Sequence, residues 1–330
     1  MIVLEFVGLL AILTVAAALL SYGAEALAER YGANFTGSIV LALITTLPEY
    51  MLVIWASIKG LYHEAVGSAV GACTLLITLG YGSIILFATS RISRKPVKVI
   101  ELSKGTQVDA LYLLVTALVA FALAWEGNGF DLKDAVILIL LFFAYVVHVA
   151  KEGVKFAREN AVRDHARRSL VKSVSLLAIG GVVIFFASEP FVDSMVALAE
   201  QLGVNPVTIC IILGPLASEM PEKITAYITV IRDGKLAEIS VCNFIGSKVN
   251  HNSLLLGTMP IIALLQGRSG VPGIISLPFI IMTALTVVAT VSLSRRRLER
   301  WEGVMFMLLY ASVIWGAFHL GTGVIPQGHG

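Results

Sequence analysis

Polar and charged residues crowd into one apolar stretch, residues 214–257: Glu219, Glu222, Asn243, Lys248, Asn250, His251 and Asn252. Long apolar runs flank them, so these groups are expected at membrane depth. An ionised side chain at a bilayer centre costs about 2.5–3.5 kcal/mol on insertion scales. That cost marks such a cluster as functional. Pro215 and Pro221 interrupt the helix at the carboxylates, and each proline leaves a carbonyl one turn earlier without its donor. Irregular backbone at this depth is tolerated only where it is buried in protein or lines a cavity. Carboxylates beside freed carbonyls predict an oxygen-rich pocket, the coordination that a hard cation takes.

The elements that position these residues follow from composition. Of 330 residues, 57% are hydrophobic and 14% charged, against about 25% charged in soluble domains. The mean hydropathy is +0.87. Together these predict a multi-pass integral membrane protein with the lipid bilayer as its surroundings. The net charge is +2 and no basic patch has interleaved aromatics, which excludes nucleic acid as a partner. Cys73, Cys210 and Cys242 all lie inside apolar runs, and an odd count within spans argues against a disulfide framework. The N-terminus has no Lys or Arg ahead of its apolar run, so the first span is expected to stay rather than be cleaved.

A span needs about 20 apolar residues. Candidates lie at roughly 2–22, 35–58, 64–89, 108–125, 132–150, 170–199, 205–231, 236–266, 273–294 and 302–321. Lys and Arg concentrate in the connectors 91–106, 151–169 and 295–300, whereas 126–134 is acidic. Ten spans bring all three basic connectors to one side. The positive-inside rule then makes that side cytoplasmic, puts both termini outside, and favours the cell membrane.

The chain also repeats itself. Ala26-Leu27-Ala28-Glu29 matches Ala197-Leu198-Ala199-Glu200, and Thr45-Thr46-Leu47-Pro48-Glu49 matches Ser218-Glu219-Met220-Pro221-Glu222. Gly71 and Gly82 match Gly246 and Gly257 at equal spacing. Five spans per half make the two halves face opposite ways. Inverted repeats with helices broken at the midplane are the architecture of secondary transporters. The predicted fold is therefore an all-α membrane protein of ten transmembrane helices in two inverted five-helix repeats. The first repeat covers 1–150 and the second 170–330, joined by a basic cytoplasmic linker at 151–169.

These motifs resemble the cation/calcium exchanger superfamily. Leu47-Pro48-Glu49 and Met220-Pro221-Glu222 look like the Ser-Leu-Pro-Glu core of its two alpha repeats, and Asn243-Phe244-Ile245-Gly246-Ser247 looks like its Asn-x-x-Gly-Ser signature. The resemblance spans most of the chain. It implies secondary antiport of a cation, usually calcium, against sodium or protons, with no chemical reaction catalysed and no cofactor. It implies Glu49 and Glu222 as the central metal ligands, with hydroxyl or backbone oxygens of Thr45 and Ser218 from the preceding turn, and Ser247 beyond them. On span eight, the helical period of about 100° per residue puts Ser240, Asn243, Ser247, Asn250 and His251 on one stripe. With Glu219, this extends the cation-binding set to Asn243 and Asn250.

Departures from the family pattern bear on coupling. Leu76 and His251 stand where an Asn or Asp is usual. Cys73 and Lys248 stand where an Asn is usual, and Thr46 and Glu219 where a Ser is usual. The stripe facing the site from span three is nearly blank. Lys248 and His251 are possible proton carriers, which favours proton over sodium coupling. Each also has a plainer role. Lys248 would neutralise Glu219 or Glu222 as a structural ion pair, and His251 would be a hydrogen-bonded core histidine. Gly67 and Gly71 suggest close helix packing. Glu25, Glu189 and Asp193 near span ends are expected to be solvated. A cation sensor or inactive scaffold, with Lys248 occupying the cation's place, is the alternative to transport. Enzyme motifs fail: His63-Glu64 begins a zinc-protease pattern, but Gly67 replaces the second histidine.

Overall fold

The computed structural model describes residues 2–159, 166–201 and 219–320. Ser218, Pro215 and Cys210 lie outside the described residues. Helix α1 (Ile2–Phe35) holds 34 residues, a length of about 50 Å at 1.5 Å per residue, well beyond a hydrocarbon core of about 30 Å. It is divided at Gly32, whose φ of 86° lies in the left-handed region. There the first span turns into the second, so the first span runs ten residues beyond its expected end at 22.

The second span continues through a π-helical turn, Thr36–Leu41, into α2 (Ala42–Thr45) and, past a break at Thr46, into α3 (Leu47–Ile58). Next come α4 (Tyr62–Leu75), a π turn at Leu76–Gly80, and α5 (Tyr81–Ala88). Strand β1 (Val99–Glu101), α6 (Lys104–Gly127), β2 (Gly129–Asp131) and α7 (Leu132–Glu159) complete this half. The remainder comprises α8 (Ala166–Gln201), α9 (Met220–Arg232), α10 (Ala237–Asn250), a π turn at His251–Leu255, α11 (Leu256–Leu265), β3 (Gly270–Pro272), α12 (Leu277–Ser294), β4 (Arg297–Glu299) and α13 (Arg300–Leu320).

The inverted symmetry is visible in the irregular elements. The π turns at Leu76 and His251 begin five residues after Gly71 and Gly246. Strand β1 pairs antiparallel with β4, Ile100 opposite Leu298, and β2 pairs antiparallel with β3, Phe130 opposite Val271. β1 and β3 precede the fourth span of their halves, while β2 and β4 precede the fifth. Exchanging the halves therefore carries one strand pair onto the other. All four central side chains are buried. The β1–β4 pair clips the basic connectors 91–106 and 295–300 together at one end of the bundle, as the charge pattern predicts.

Apolar side chains also cover the outside. Leu4, Val15, Leu140, Phe143, Phe186, Val291 and Trp315 are all exposed, a surface suited to lipid rather than water. Among the described residues, six helices are long and apolar enough to cross a membrane. The Ala237–Leu265 segment is also long, but Asn243, Lys248, Asn250, His251 and Asn252 lower its hydropathy.

Within the basic 151–169 linker, α7 continues to Glu159 and α8 starts at Ala166. Two expectations need correction. Gly67 is not a packing contact: a Cβ there would meet nothing within 4 Å. Glycines do permit close crossing where α1 packs on α8. An added Cβ would sit 2.9 Å from Ser173 O at Gly23, and 2.9 Å from Ala16 O at Gly180. Glu25 is not simply solvated; Arg232 donates to it, and to Ser21 Oγ at 3.2 Å, tying α1 to α9.

Candidate cation site

The site forms where two broken spans meet. Thr46 ends α2 and Pro48 opens α3, placing Glu49 in its first turn. Glu219 sits at the equivalent break, Pro221 opens α9, and Glu222 lies in its first turn. Both half-helices thus direct their positive N-terminal ends toward the carboxylates. The third wall is α10. It approaches the second span so closely that a Cβ on Gly246 would overlap the backbone of Ser38, and one on Gly37 would lie 2.6 Å from Cys242 Cβ. The glycine of the Asn-x-x-Gly-Ser motif is required by this crossing.

Glu49, Glu219, Glu222, Ser247, Lys248 and His251 converge there, each no more than 2% exposed. His251 Nε2 contacts Glu49 Oε2 directly and lies 3.9 Å from Glu219 Oε1. Its Nδ1 is 2.6 Å from the Ser247 carbonyl. A carbonyl only accepts, so Nδ1 must carry a hydrogen and donate. The Nε2–Glu49 contact then requires one more proton, on the imidazole or on the carboxyl. Ser247 Oγ donates to Glu222 Oε2 at 3.1 Å. Lys248 Nζ stands 3.6 Å from Glu219 Oε1.

Lys223, which follows Glu222 and is 1% exposed, is a second ammonium acting on Glu219, Glu222 and Glu49. Sequence reasoning passed over it, although a lysine adjoining the motif carboxylate inside an apolar span was a usable signal. The oxygen-rich pocket predicted from the prolines is instead a mixed cluster, its carboxylates faced by ammonium groups and an imidazole. Glu49 Oε1, Glu222 Oε1 and both Glu219 oxygens have no hydrogen-bond partner among the described residues. One ligand atom each from Glu49, Glu219 and His251 lie within 4.8 Å of one another, a separation that a metal ion can bridge.

Other predicted ligands make hydrogen bonds between neighbouring elements. Thr45 Oγ1 donates back to Leu41 O at 2.9 Å and lies 3.4 Å from Asn243 Oδ1. Asn250 donates to Thr46 Oγ1 at 3.2 Å and accepts from the Tyr50 hydroxyl. Thr45, Asn243 and Asn250 thus tie α10 to the second span. Asn252 is reached from span three by Cys73 Sγ at 3.6 Å.

Two inverted helical halves enclosing ionisable groups at a pair of helix breaks have the architecture of secondary transporters. The pattern of the sodium/calcium exchanger protein family matches residues 1–151 and 172–318, and the chain belongs to that family. Membership makes it a cation antiporter by class. An uncharacterized membrane protein of Methanocaldococcus jannaschii is 25% identical over 88% of this chain and 90% of its own length. The inner membrane protein YrbG of Escherichia coli is 22% identical over 90% of each. A solved structure of the sodium-calcium exchanger NCX_Mj shares the fold with a TM-score of 0.78, at 23% identity, covering 95% of this chain and 97% of that one.

Proposed function

We propose that this protein exchanges a divalent cation, calcium in the first instance, against protons, with Glu49 and Glu222 as central ligands. Glu219 and Ser247 complete the cation set, while Ser218 enters through its repeat position. The observation that carries this reading is the Glu49–His251 contact, in which the fixed Nδ1–H leaves one shared proton between the two residues. A cation taking Glu49 as ligand displaces that proton, because it competes with a proton on the carboxyl and repels one on the adjacent imidazole.

Charge balance extends the argument. The proton-sharing Glu49–His251 pair is neutral overall, and Glu219 and Glu222 are offset by Lys223 and Lys248. Removing charges from water is tolerated only when they are paired. A dication therefore enters such a cluster without net charge only if two protons leave. One comes from the Glu49–His251 pair and the second from Lys248, whose ammonium stands against Glu219.

The deciding measurement is cation uptake into sodium-free proteoliposomes under an imposed pH gradient, comparing calcium, manganese and magnesium, with His251→Ala and Lys248→Ala alongside. Uptake driven by the pH gradient and altered in both variants supports the reading; uptake that demands sodium and ignores pH overturns it. The burial of Lys248 at 3.6 Å from Glu219 favours a second reading, a sensor or scaffold with the ammonium as permanent occupant. It predicts no uptake under either gradient.

A further inference from the structure

A second buried ionisable group lies between the central cluster and the basic end of the bundle. Helix α6 starts there, its N-cap Ser103 accepting from Thr106 N. Glu238 of α10 accepts from Ser103 N at 2.5 Å and from Thr106 Oγ1 at 2.6 Å. One turn deeper, Asp109 is fully buried. Its Oδ2 accepts from Asn34 Nδ2 at 2.5 Å and from the Ser38 hydroxyl. Its Oδ1 has no hydrogen-bond partner among the described residues, where no ion pair involves it either.

The groups around Asp109 are acids and weak acids. Glu238 and Cys242 face it from α10, and Tyr145 from α7. Tyr81 of α5 is also close enough to interact electrostatically. The Tyr145 hydroxyl interacts with Ser38, and the Tyr81 hydroxyl is buried without a hydrogen-bond partner among the described residues. The His148 ring on α7 packs at a tilt against Tyr112 of α6. The α12 face contributes Thr290, which bonds the Ala110 carbonyl at 3.4 Å. Asn34 and Ser38 come from the end of α1 and the turn beyond it.

An isolated buried carboxylate favours the neutral acid, whereas two donors on one oxygen favour the anion. This carboxyl is equipped for both forms. A purely structural brace would need no charge, because an asparagine meets Ser38 and Asn34 equally well. From Asp109, polar groups lead in both directions. Toward the basic end they run through Thr106 to Glu238. Toward the cluster, Tyr81 is close enough to interact electrostatically with both Asp109 and Glu222. At the same distance past β3 as Asp109 stands past β1, the second half has Ile280. The acid therefore serves one side only.

We propose that Asp109 is a proton relay site, passing the exchanged proton between the central cluster and the basic end of the bundle. This rests on the proton-coupled reading above. In the transfer, the central cluster loses the proton shared by Glu49 and His251, the Tyr81 hydroxyl takes up one proton as it gives its own to the Asp109 carboxylate, and Asp109 then releases a proton toward Glu238.

The test is Asp109→Asn in sodium-free proteoliposomes, with uptake measured across a range of pH gradients and cation binding measured on purified protein. Losing a positioned proton-transfer group costs about 100-fold in rate. The expected result is a drop of that order with a flattened pH profile, unchanged cation affinity and thermal stability, and recovery in Asp109→Glu. Wild-type rate and pH profile in Asp109→Asn would overturn the relay while leaving proton coupling intact. Joint loss of cation binding and stability in Asp109→Asn would make Asp109 a brace and also overturn it. A wild-type protein insensitive to the pH gradient removes the proton-coupled reading itself, and the relay with it.

Discussion

The Lys248 ammonium lies 3.6 Å from a Glu219 carboxylate oxygen, both side chains at most 1% exposed, in the part of the protein where an exchanger would hold its cation. Removing one member of a buried ion pair costs about 3–5 kcal/mol, because the other charge is left uncompensated. Lys248→Met is therefore expected to lower the unfolding temperature in metal-free buffer. Added calcium or manganese should recover much of the loss, since the unpaired carboxylate is then satisfied by the metal. A thermal shift with cation no larger than that of the wild type would count against a shared site for ammonium and metal.

Neutralising the motif carboxylates should abolish exchange. Glu49→Gln and Glu222→Gln each keep side-chain volume and remove a negative ligand from a half-helix N-terminus. Exchange in proteoliposomes is expected to fall to background in both. Wild-type rates in both variants would remove these residues from the cation site.

Proton displacement fixes a pH sign. Metal binding releases protons from its ligands, so cation affinity should rise with pH and fall as solution acidifies. If two protons leave per dication, the affinity changes by up to about 100-fold per pH unit while both groups titrate. Calorimetry in buffers of different ionisation enthalpy counts the protons directly. A count of zero contradicts the charge-balance argument.

Gly246 should not tolerate a side chain. An added methyl would run into the Ser38 backbone, which cannot rotate away as a side-chain tip does. Overpacking typically costs about 1–3 kcal/mol, and Gly246→Ala is expected at or above the top of that range. Gly67→Ala, into open space, should be near neutral. Equal stability of the two variants in thermal unfolding would mean that α10 and the second span cross less closely.

The two ends of the bundle can be told apart by labelling. Single cysteines at Arg91 and Arg295, both exposed in connectors joined by the β1–β4 pair, should react from the cytoplasmic side. One at Glu126, exposed beside β2, should react from outside. Arg91 and Glu126 labelling from the same face would require a different number of crossings between them.

The sequence alone determined the fold class, the repeat and the family, because each is written in local signals. Apolar run length sets a span, a proline sets a break, and Pro48-Glu49 and Pro221-Glu222 recur at matching places. It also singled out Glu49, Glu222, Glu219, Lys248 and His251. What it did not determine was their partners. The helical period put Ser240, Asn243, Ser247, Asn250 and His251 on one stripe, yet tertiary packing sends them to different neighbours. Ser240 bonds Ala226 O, Asn243 meets Thr45, Ser247 meets Glu222, Asn250 meets Tyr50, and His251 meets Glu49. A stripe on one helix fixes direction only, whereas several packed segments surround α10 and each claims a different level of it. Asp109 was missed for the same reason. Whether a lone charge in a span faces water, lipid or a carboxylate depends on elements far away in the chain, which only the folded structure brings together.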